Sequence, residues 1–392
     1  MLPVMITAVI ALVGILPHQI SDPRLVFAVM FIVTAIYAKD THNKYFRYLL
    51  TATLLSGLAC FMEKGIIYAS MFVSSFYEFR KSSLLSIPIY TIAGTGFFYT
   101  YNMLNNLELS ISNILFIALA GGLSGALMES IDTRTDKRVL TLLSLATVFA
   151  IFRIYIPSAS LEELAIAFVV SFILSLMALK AGVADESGLM SATLVGTITI
   201  LFTDLRFFAV LLSFYLFGSA ITKYKYSLKL NLGIAEPSGG ARGFSNVFGN
   251  SLAPLFFTMN YGVLGDNFFA LAFIASVATA LGDTMASEVG KTAKNVYLIT
   301  NFKKVKPGTN GGISVIGEIA ALAGCLLVSI LAHFLGILSI EHFLPVIISA
   351  FIAIHIDSLL GATLEIKGYL NNSEVNFLAT LFGGIICIFL SL

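Results

Sequence analysis

Apolar runs of about 17 to 23 residues recur from one end of the chain to the other, and each is long enough to cross the hydrocarbon core of a membrane as a helix. The composition agrees, because 58% of the 392 residues are hydrophobic and only 11% are charged. A soluble domain carries about 25% charged residues. The sequence therefore predicts an all-α fold, a polytopic transmembrane helical bundle.

We expect about 12 to 15 spans, because several of the apolar runs are short. The candidate spans are 3–17, 24–38, 47–62, 65–77, 83–103, 110–130, 139–156, 162–180, 187–203, 206–221, 247–260, 265–283, 313–336, 343–362 and 374–391. The runs at 65–77 and 247–260 are short enough to be re-entrant or broken helices.

Basic residues collect in five loops, and they predict the orientation of the protein. The groups are Lys39, Lys44 and Arg47; Arg80 and Lys81; Arg134, Lys137 and Arg138; Lys223, Lys225, Lys229 and Arg242; and Lys291, Lys294, Lys303, Lys304 and Lys306. An even number of predicted spans separates these loops, so the positive-inside rule makes their side, with the N-terminus, cytoplasmic. The absence of a transit peptide indicates a prokaryotic plasma membrane.

Several functional classes lose support at this stage. The net charge of +1 gives no basic field for a nucleic acid partner. Cys60, Cys325 and Cys387 lie in apolar runs without metal-ligand spacing, so neither a disulfide framework nor a zinc site is expected. The sequence also contains no G-x-x-x-x-G-K-[ST], H-E-x-x-H or G-x-S-x-G motif.

A short acidic segment, 184–188, precedes one of the predicted spans. Carboxylates at this position complement the positive N-terminal end of a helix. Helix capping is therefore its simplest role.

The segment 233–246 holds four glycines together with Glu236 and Arg242. Asn246 and Asn250 follow at the i, i+4 spacing of one helix face. Glycines let backbone N–H groups approach a phosphate closely, and the N-terminus of the next helix favours negative charge. The segment is predicted to bind phosphate, with a flexible connector as the alternative.

The helix end at 282–291 is the most specific candidate. Asp283, Ser287 and Lys291 repeat at i, i+4 and i+8. Glu288 adds a second carboxylate, and Asp283 follows a long apolar run, where an ionisable group is costly and functional by default. Carboxylates and hydroxyls in this pattern suit Mg²⁺ held together with substrate phosphates. A solvated helix terminus with an internal Glu288–Lys291 pair is the alternative.

A fourth segment, 300–314, carries three lysines and then the turn Pro-Gly-Thr-Asn-Gly-Gly. The lysines can cradle a polyphosphate, and the turn offers backbone N–H groups to an anion. Lysines beside a span are also ordinary topology determinants. Asp357, late in another apolar run, is expected to face the same site.

These blocks resemble one family. They are E-x-x-G-G-x-R with V-F-G-N, then G-D-T-M-A-S-E-V-G, F-K-K-V-K-P-G-T-N-G-G-I-S, D-S-L-L-G-A-T-L-E and V-N-F-L-A-T. They are similar to the integral membrane family that contains the plant chloroplast phytyl-phosphate kinase and archaeal and bacterial relatives. More distantly, they resemble CTP-dependent phytol and dolichol kinases and CDP-diglyceride synthases. The resemblance covers about residues 181–392.

The resemblance implies transfer of a phosphoryl group, with CTP as the donor, onto an isoprenyl monophosphate that lies among membrane lipids. It implies Asp283, Glu288 and Asp357 as ligands of Mg²⁺, and Lys291 beside them as a catalytic residue. The implied nucleotide- and phosphate-binding residues are Glu236, Gly239, Gly240, Arg242, Asn246, Asn250, Lys303, Lys304, Thr309, Asn310, Gly311, Gly312 and Ser314.

The resemblance divides the chain into a transmembrane extension of open role, 1–110, and a catalytic transmembrane domain, 111–392. Two other functions remain open. A cytidylyltransferase that makes a CDP-lipid would use similar groups but release pyrophosphate instead of CDP. A transporter or flippase of phosphorylated lipids would also fit many spans with intramembrane acids.

Overall fold

The computed structural model describes residues 1–17, 20–38, 45–79 and 82–392. The chain divides into two compact units, Met1–Ile166 and Ala167–Leu392. Four of the basic residues used above for orientation lie outside the described residues: Lys39, Lys44, Arg80 and Lys81.

The described residues of the first unit form seven helices. They are α1 (Leu2–Gly14), α2 (Pro23–Tyr37), α3 (Phe46–Leu58), α4 (Lys64–Ser74), α5 (Ser83–Leu104), α6 (Ile111–Ser130) and α7 (Lys137–Ile154), with a 3₁₀ turn at Ser75–Phe79. Small residues bring α6 close to its neighbours, because a Cβ at Gly125 would lie 2.7 Å from the ring of Tyr90. The buried carboxylate of Glu129 accepts hydrogen bonds from Ser86, at 2.7 Å, and from Tyr90.

The second unit holds the remaining helices, and α8 enters it from the first unit. The helices are α8 (Leu161–Lys180), α9 (Glu186–Phe202), α10 (Leu205–Thr222), α11 (Tyr226–Asn231), α12 (Phe244–Leu264), α13 (Asn267–Gly290), α14 (Val315–Phe334), α15 (Phe343–Leu360) and α16 (Asn372–Ser391). Two 3₁₀ turns (Pro237–Gly240 and Ile340–His342) and a π-helical turn (Gly361–Glu365) complete it.

Helix α13 lies at the centre of the second unit and is buried continuously from Ala270 to Gly282. It packs against α10, α12, α14, α15 and α16. The backbones of α13 and α14 approach closely, because a Cβ on Gly324 would lie 2.8 Å from the Cα of Gly282. Small residues at such crossings let helices pack by van der Waals contact, which drives association where no water is present. This crossing positions the polar end of α13 that begins at Asp283.

A small antiparallel sheet follows α13 and was not expected in an all-α chain. Strand β1 (Val296–Leu298) lies between β2 (Lys304–Val305) and β3 (Gly312–Ile313). Val296 pairs with Val305, and Leu298 pairs with Gly312. The strands are two or three residues long, too short to give a readable alternation of polar and apolar residues.

The predicted all-α membrane bundle is confirmed, and each of the 15 candidate spans coincides with a helix. Among the described residues, seven helices are long and apolar enough to cross a membrane. They are Ile111–Ser130, Leu161–Lys180, Leu205–Thr222, Asn267–Gly290, Val315–Phe334, Ile340–Glu365 and Asn372–Ser391. Helices α1 to α4 contain 11 to 15 residues and are shorter than the usual span of about 20. The number of 12 to 15 crossings therefore stays a prediction.

One further expectation has a definite outcome. The run at 247–260 is not a broken helix, because α12 continues without interruption from Phe244 to Leu264 and accommodates Pro254. The two compact units divide within α8, and the functional division predicted at residue 110 stays a prediction. Helices α6 and α7 thus pack with the first unit, and a catalytic contribution from residues 111–166 stays a prediction.

Candidate active site

Four segments of the second unit meet near the C-terminal end of α13. The segment 298–312, which runs from the end of β1 through β2 to the start of β3, is called the 298–312 turn. It packs on the segment after α11, because a Cβ at Gly308 would lie 2.8 Å from Ile234. The same turn packs on the end of α15, because a Cβ at Gly311 would lie 2.5 Å from the carbonyl oxygen of Ser358. Three of the segments predicted from the sequence to be functional are thus brought together with the end of α15.

A chain of ion pairs joins these segments. The Lys229 ammonium, on the short helix α11, contacts Glu288 Oε2 and donates to the Thr222 carbonyl oxygen at 2.7 Å. The other oxygen, Glu288 Oε1, lies 2.6 Å from Lys291 Nζ. Lys291 Nζ also lies 2.8 Å from Glu236 Oε1. The order is therefore Lys229, Glu288, Lys291, Glu236.

Burial differs sharply along this chain of ion pairs. The side chains of Lys229 and Glu288 are 0% and 3% exposed, whereas that of Glu236 is 45% exposed. Buried charges are stable only when paired and hydrogen-bonded, which these two are. Burial alone would lower the pKa of Lys291, but the charges of Glu288 and Glu236 outweigh it and raise that pKa above its ordinary value. Lys291 is therefore protonated at neutral pH, and its own charge is lost only when the pH rises past the raised pKa.

The geometry of α13 explains why its two acids separate. Asp283 and Glu288 are five residues apart, which turns them by about 140° around a helix. Glu288 and Lys291, three apart, share a face. Glu288 thus points to α11, and Asp283 meets α15. The predicted metal ligands Asp283, Glu288 and Asp357 therefore do not all face one point, and both oxygens of Glu288 are held by lysines.

The carboxyl groups of Asp283 and Asp357 lie close enough to interact with each other, with Glu365 nearby. Asp357 Oδ2 is buried and has no hydrogen-bond partner among the described residues. Two adjacent carboxylates repel each other unless a proton or a cation lies between them. Mg²⁺ is commonly held by one or two carboxylates together with substrate phosphates. The pair fits that ion, although no three His, Cys, Asp or Glu side chains form a metal-binding group within the described ranges.

Arg242 is a buried cation without a carboxylate partner in the described part of the chain. It is 7% exposed, and its guanidinium lies 4.8 Å from the centre of the Phe214 ring. It donates to Asn246 Oδ1 at 2.6 Å and to Ser219 Oγ at 3.3 Å. Burial lowers the pKa of Arg242. An anionic ligand would compensate this loss of hydration.

The asparagines and the capping segment fix the direction of Arg242. The amide of Asn250 donates to the Asn246 carbonyl oxygen at 3.0 Å, so the two asparagines line one face of α12. Asp185 caps α9 by accepting from the Gly188 N–H at 2.8 Å, which confirms the capping role of this segment. The Arg242 N–H donates to the Val183 carbonyl oxygen at 2.9 Å.

The glycines of the predicted phosphate-binding turns occupy positions where a side chain is excluded. Gly239, Gly240 and Gly311 have φ values of 68°, 81° and 73°, a region that only glycine adopts without strain. A Cβ at Gly240 would lie 2.7 Å from Thr222, and one at Gly312 would lie 2.8 Å from Val296.

The remaining predicted residues are less enclosed. Lys303, Lys304 and Asn310 are exposed. Lys304 Nζ donates to Asn295 Oδ1 at 2.8 Å, and Thr309 Oγ1 donates to the Lys306 carbonyl oxygen at 2.7 Å. Ser314 caps α14, because its Oγ accepts from the Gly317 N–H at 3.2 Å. These are structural contacts, and phosphate binding by these residues stays a prediction.

Sequence reasoning missed Lys229 as a site residue and treated it as a determinant of topology. No local spacing relates Lys229 to Glu288, because their pairing depends on how α11 packs against α13. Phe214 and Ser219 were missed for the same reason: both lie within an apolar helix and meet Arg242 only after folding.

Residues 169–384, more than half of the chain, match the model of an integral membrane protein family, DUF92. The chain belongs to this family. The membership predicted from the motifs at 236–250, 282–290 and 302–314 is thereby confirmed. No solved structure matches the chain.

Three relatives illustrate the range of DUF92. An uncharacterised membrane protein of Synechocystis sp. is 37% identical over 188 residues, 47% of this chain and 73% of its own length. An uncharacterised membrane protein of Methanocaldococcus jannaschii is 31% identical over 229 residues, 58% of this chain and 94% of its own length. Protein VTE6, chloroplastic, of Arabidopsis thaliana is 33% identical over 213 residues, 52% of this chain and 64% of its own length.

Proposed function

We propose that this protein is a membrane phosphotransferase that moves the γ-phosphoryl group of a nucleoside triphosphate, CTP, to an isoprenyl monophosphate and so forms the diphosphate. The observation that carries the proposal is the convergence of buried cations, Arg242 and the lysine pair on Glu288, near the paired carboxyls of Asp283 and Asp357. Cations and acids in one water-poor site are the groups that phosphoryl transfer requires. The resemblance to the family of the plant phytyl-phosphate kinase supports the acceptor class.

The acceptor needs little activation, because the attacking phosphate oxygen of an isoprenyl monophosphate is already anionic. Positioning and charge neutralisation therefore supply most of the rate. Arg242, held by Asn246 and Ser219, binds one phosphate, and Lys291 binds the oxygens of the second. The backbone N–H group of Gly311 holds a donor phosphate, whereas the Gly312 N–H donates to the Thr309 carbonyl oxygen at 2.9 Å and shapes the turn.

Mg²⁺ bound by Asp283 and Asp357 would neutralise charge on the donor phosphates during transfer. Glu288 has a different task in this proposal: it holds Lys229 and Lys291 and so fixes the direction of the Lys291 ammonium. The isoprenoid tail lies among the helices, and its phosphate lies at the membrane surface. The positive-inside pattern supports a cytoplasmic position for this surface, and the proposed membrane is a prokaryotic plasma membrane.

The test is a reaction of purified protein in detergent with Mg²⁺, geranylgeranyl monophosphate and each of CTP, ATP, GTP and UTP in turn. Mass spectrometry of the products is expected to find the isoprenyl diphosphate and CDP. Omission of Mg²⁺ should abolish turnover.

Other outcomes would replace this proposal. Pyrophosphate with a nucleotidyl-lipid product would identify a cytidylyltransferase. Movement of a phosphorylated lipid across liposomes without nucleotide, by folded protein that turns over no nucleotide, would identify a transporter. Normal turnover by a variant with both Asp283→Ala and Glu288→Ala would refute the assignment of the site.

A further inference from the structure

Lys291 lies between two carboxylates that differ in how firmly they are held. Glu288 is buried and also contacts Lys229, so it cannot leave Lys291 without leaving a buried lysine unpaired. Glu236 has one ionic partner in the described residues, Lys291, and its side chain is 45% exposed. The contact with Glu236 is therefore the weaker of the two.

The segment that carries Glu236 is built so that the side chain can move while the backbone stays in place. The Tyr226 hydroxyl donates to the Glu236 backbone carbonyl oxygen at 2.9 Å. Gly233 and Gly239, on either side, have positive φ and no atoms within 4 Å of where a Cβ would stand. Movement of the Glu236 carboxylate into water thus breaks one ion pair, that with Lys291.

Glu236 supplies a negative charge beside two cations of the site, Lys291 and Arg242. Lys229, Glu288 and Lys291 together carry a net charge of +1, and Arg242 adds a buried positive charge without a carboxylate partner among the described residues. The Glu236 carboxylate is the group that offsets this charge at Lys291. A phosphate oxygen has the same charge and accepts the same hydrogen bond from an ammonium group.

We propose that Glu236 is a displaceable carboxylate that occupies the phosphate position on Lys291 in the ligand-free protein and swings into water when the phosphate of the substrate binds. The identity of the displacing phosphate rests on the proposed function; the displacement itself does not. Glu236 thus tunes affinity, because each phosphate that binds must first break the Lys291–Glu236 ion pair. Anions too weak to displace it are kept out.

The test measures binding of inorganic pyrophosphate and of geranylgeranyl monophosphate, without nucleotide, by calorimetry on the full chain in detergent. Glu236→Gln removes the charge and keeps the shape. It is expected to tighten binding of both probes by about threefold to tenfold, since the competing ion pair is gone. Lys291→Met is expected to lose most of the binding. Glu341→Gln, at an exposed glutamate that is not part of this site, should bind as the unmodified protein does.

Weaker or unchanged binding by Glu236→Gln would overturn the proposal, as would unchanged binding by Lys291→Met or no binding of either probe to any variant. The outcome of this binding experiment is independent of the outcome of the kinase assay. Tighter binding without any phosphoryl transfer would support the displaceable carboxylate and reject the kinase. Phosphoryl transfer together with weaker binding by Glu236→Gln would reject only the displacement and make Glu236 a ligand.

Discussion

Lys229 and Glu288 form an ion pair with almost no access to water. Its effect on stability depends on the balance between the hydration energy lost on burial and the attraction between the two charges. Two buried charges lose a large hydration energy, which their attraction repays only with good geometry and further hydrogen bonds. Lys229 meets that condition through the Thr222 carbonyl oxygen, and Glu288 through Lys291. Such a pair specifies one arrangement of α11 against α13 even where it adds little net stability.

Lys229→Met should therefore be strongly destabilising, by about 3 kcal/mol, because it leaves Glu288 with a single partner. Thermal unfolding in detergent measures the change. Lys306→Met, at an exposed lysine, is the matched control and should unfold at the original temperature. The double variant Lys229→Met with Glu288→Gln should recover part of the loss, since it leaves no buried carboxylate unpaired. Equal stability of the Lys229 variant and the control would contradict this account.

The paired acids Asp283 and Asp357 differ from Glu288, because neither forms a direct ion pair with a lysine among the described residues, although the charge of Lys291 acts on Asp283. Asp283→Asn and Asp357→Asn are each expected to lower turnover by about 100-fold or more while the protein stays folded. Asp266→Asn is the control on the same helix, because Asp266 caps the start of α13 through the Phe268 N–H and asparagine can do the same. Turnover assays at saturating Mg²⁺ distinguish the two acid variants from the control. Full activity in either acid variant would show that the residue is not part of the site.

At the scale of elements, the 298–312 turn connects the small sheet to the end of α15. Its contact at Gly311 requires glycine for two reasons, the positive φ and the approach of the Ser358 carbonyl oxygen at 2.5 Å from the Cβ position. The turn cannot reach its place with a side chain at this position unless α15 shifts. The location of the backbone N–H groups of the turn thus depends on α15.

Gly311→Ala is expected to destabilise the protein by about 2 kcal/mol and to reduce turnover by about tenfold or more, because the turn moves away from α15. Gly336→Ala is the matched control, since Gly336 also has positive φ, 74°, but stands in open space. That control should cost about 1 kcal/mol from strain alone and leave turnover unchanged. If both substitutions affected turnover equally, a specific contact between the turn and α15 would be refuted.

At the scale of the whole molecule, all the candidate site residues lie in the second unit, Ala167–Leu392. The family match covers 169–384. The Methanocaldococcus jannaschii relative aligns over 94% of its own length with only 58% of this chain. A family member can thus be formed from little more than the second unit.

A shortened chain that begins at Ser158, ahead of α8, is therefore expected to fold in detergent and to keep turnover within about tenfold of the full chain. Size-exclusion chromatography and thermal unfolding check the fold, and the product assay checks the activity. Activity lost from a folded shortened chain would instead assign part of the reaction to residues before Ser158, and would support the predicted catalytic role of 111–166.

Local patterns in the sequence determined the helices of this protein. An apolar run long enough to span a membrane, closed by a polar segment, defines a helix without reference to the rest of the chain, and every candidate span became one. The glycine turns and the acids at the ends of α13 and α15 were also readable locally. The three short strands were not, since two or three residues carry no period.

Only the tertiary structure decided which charged groups distant in sequence meet. Asp283 and Glu288 are close in sequence, but the turn of about 140° between them directs one to α15 and the other to α11. Lys229 lies 59 positions from Glu288 and becomes its partner through helix packing. Arg242 contacts Phe214 and Ser219 through helix packing as well. Sequence spacing specifies the face of a helix, whereas the partner of that face depends on contacts between distant segments.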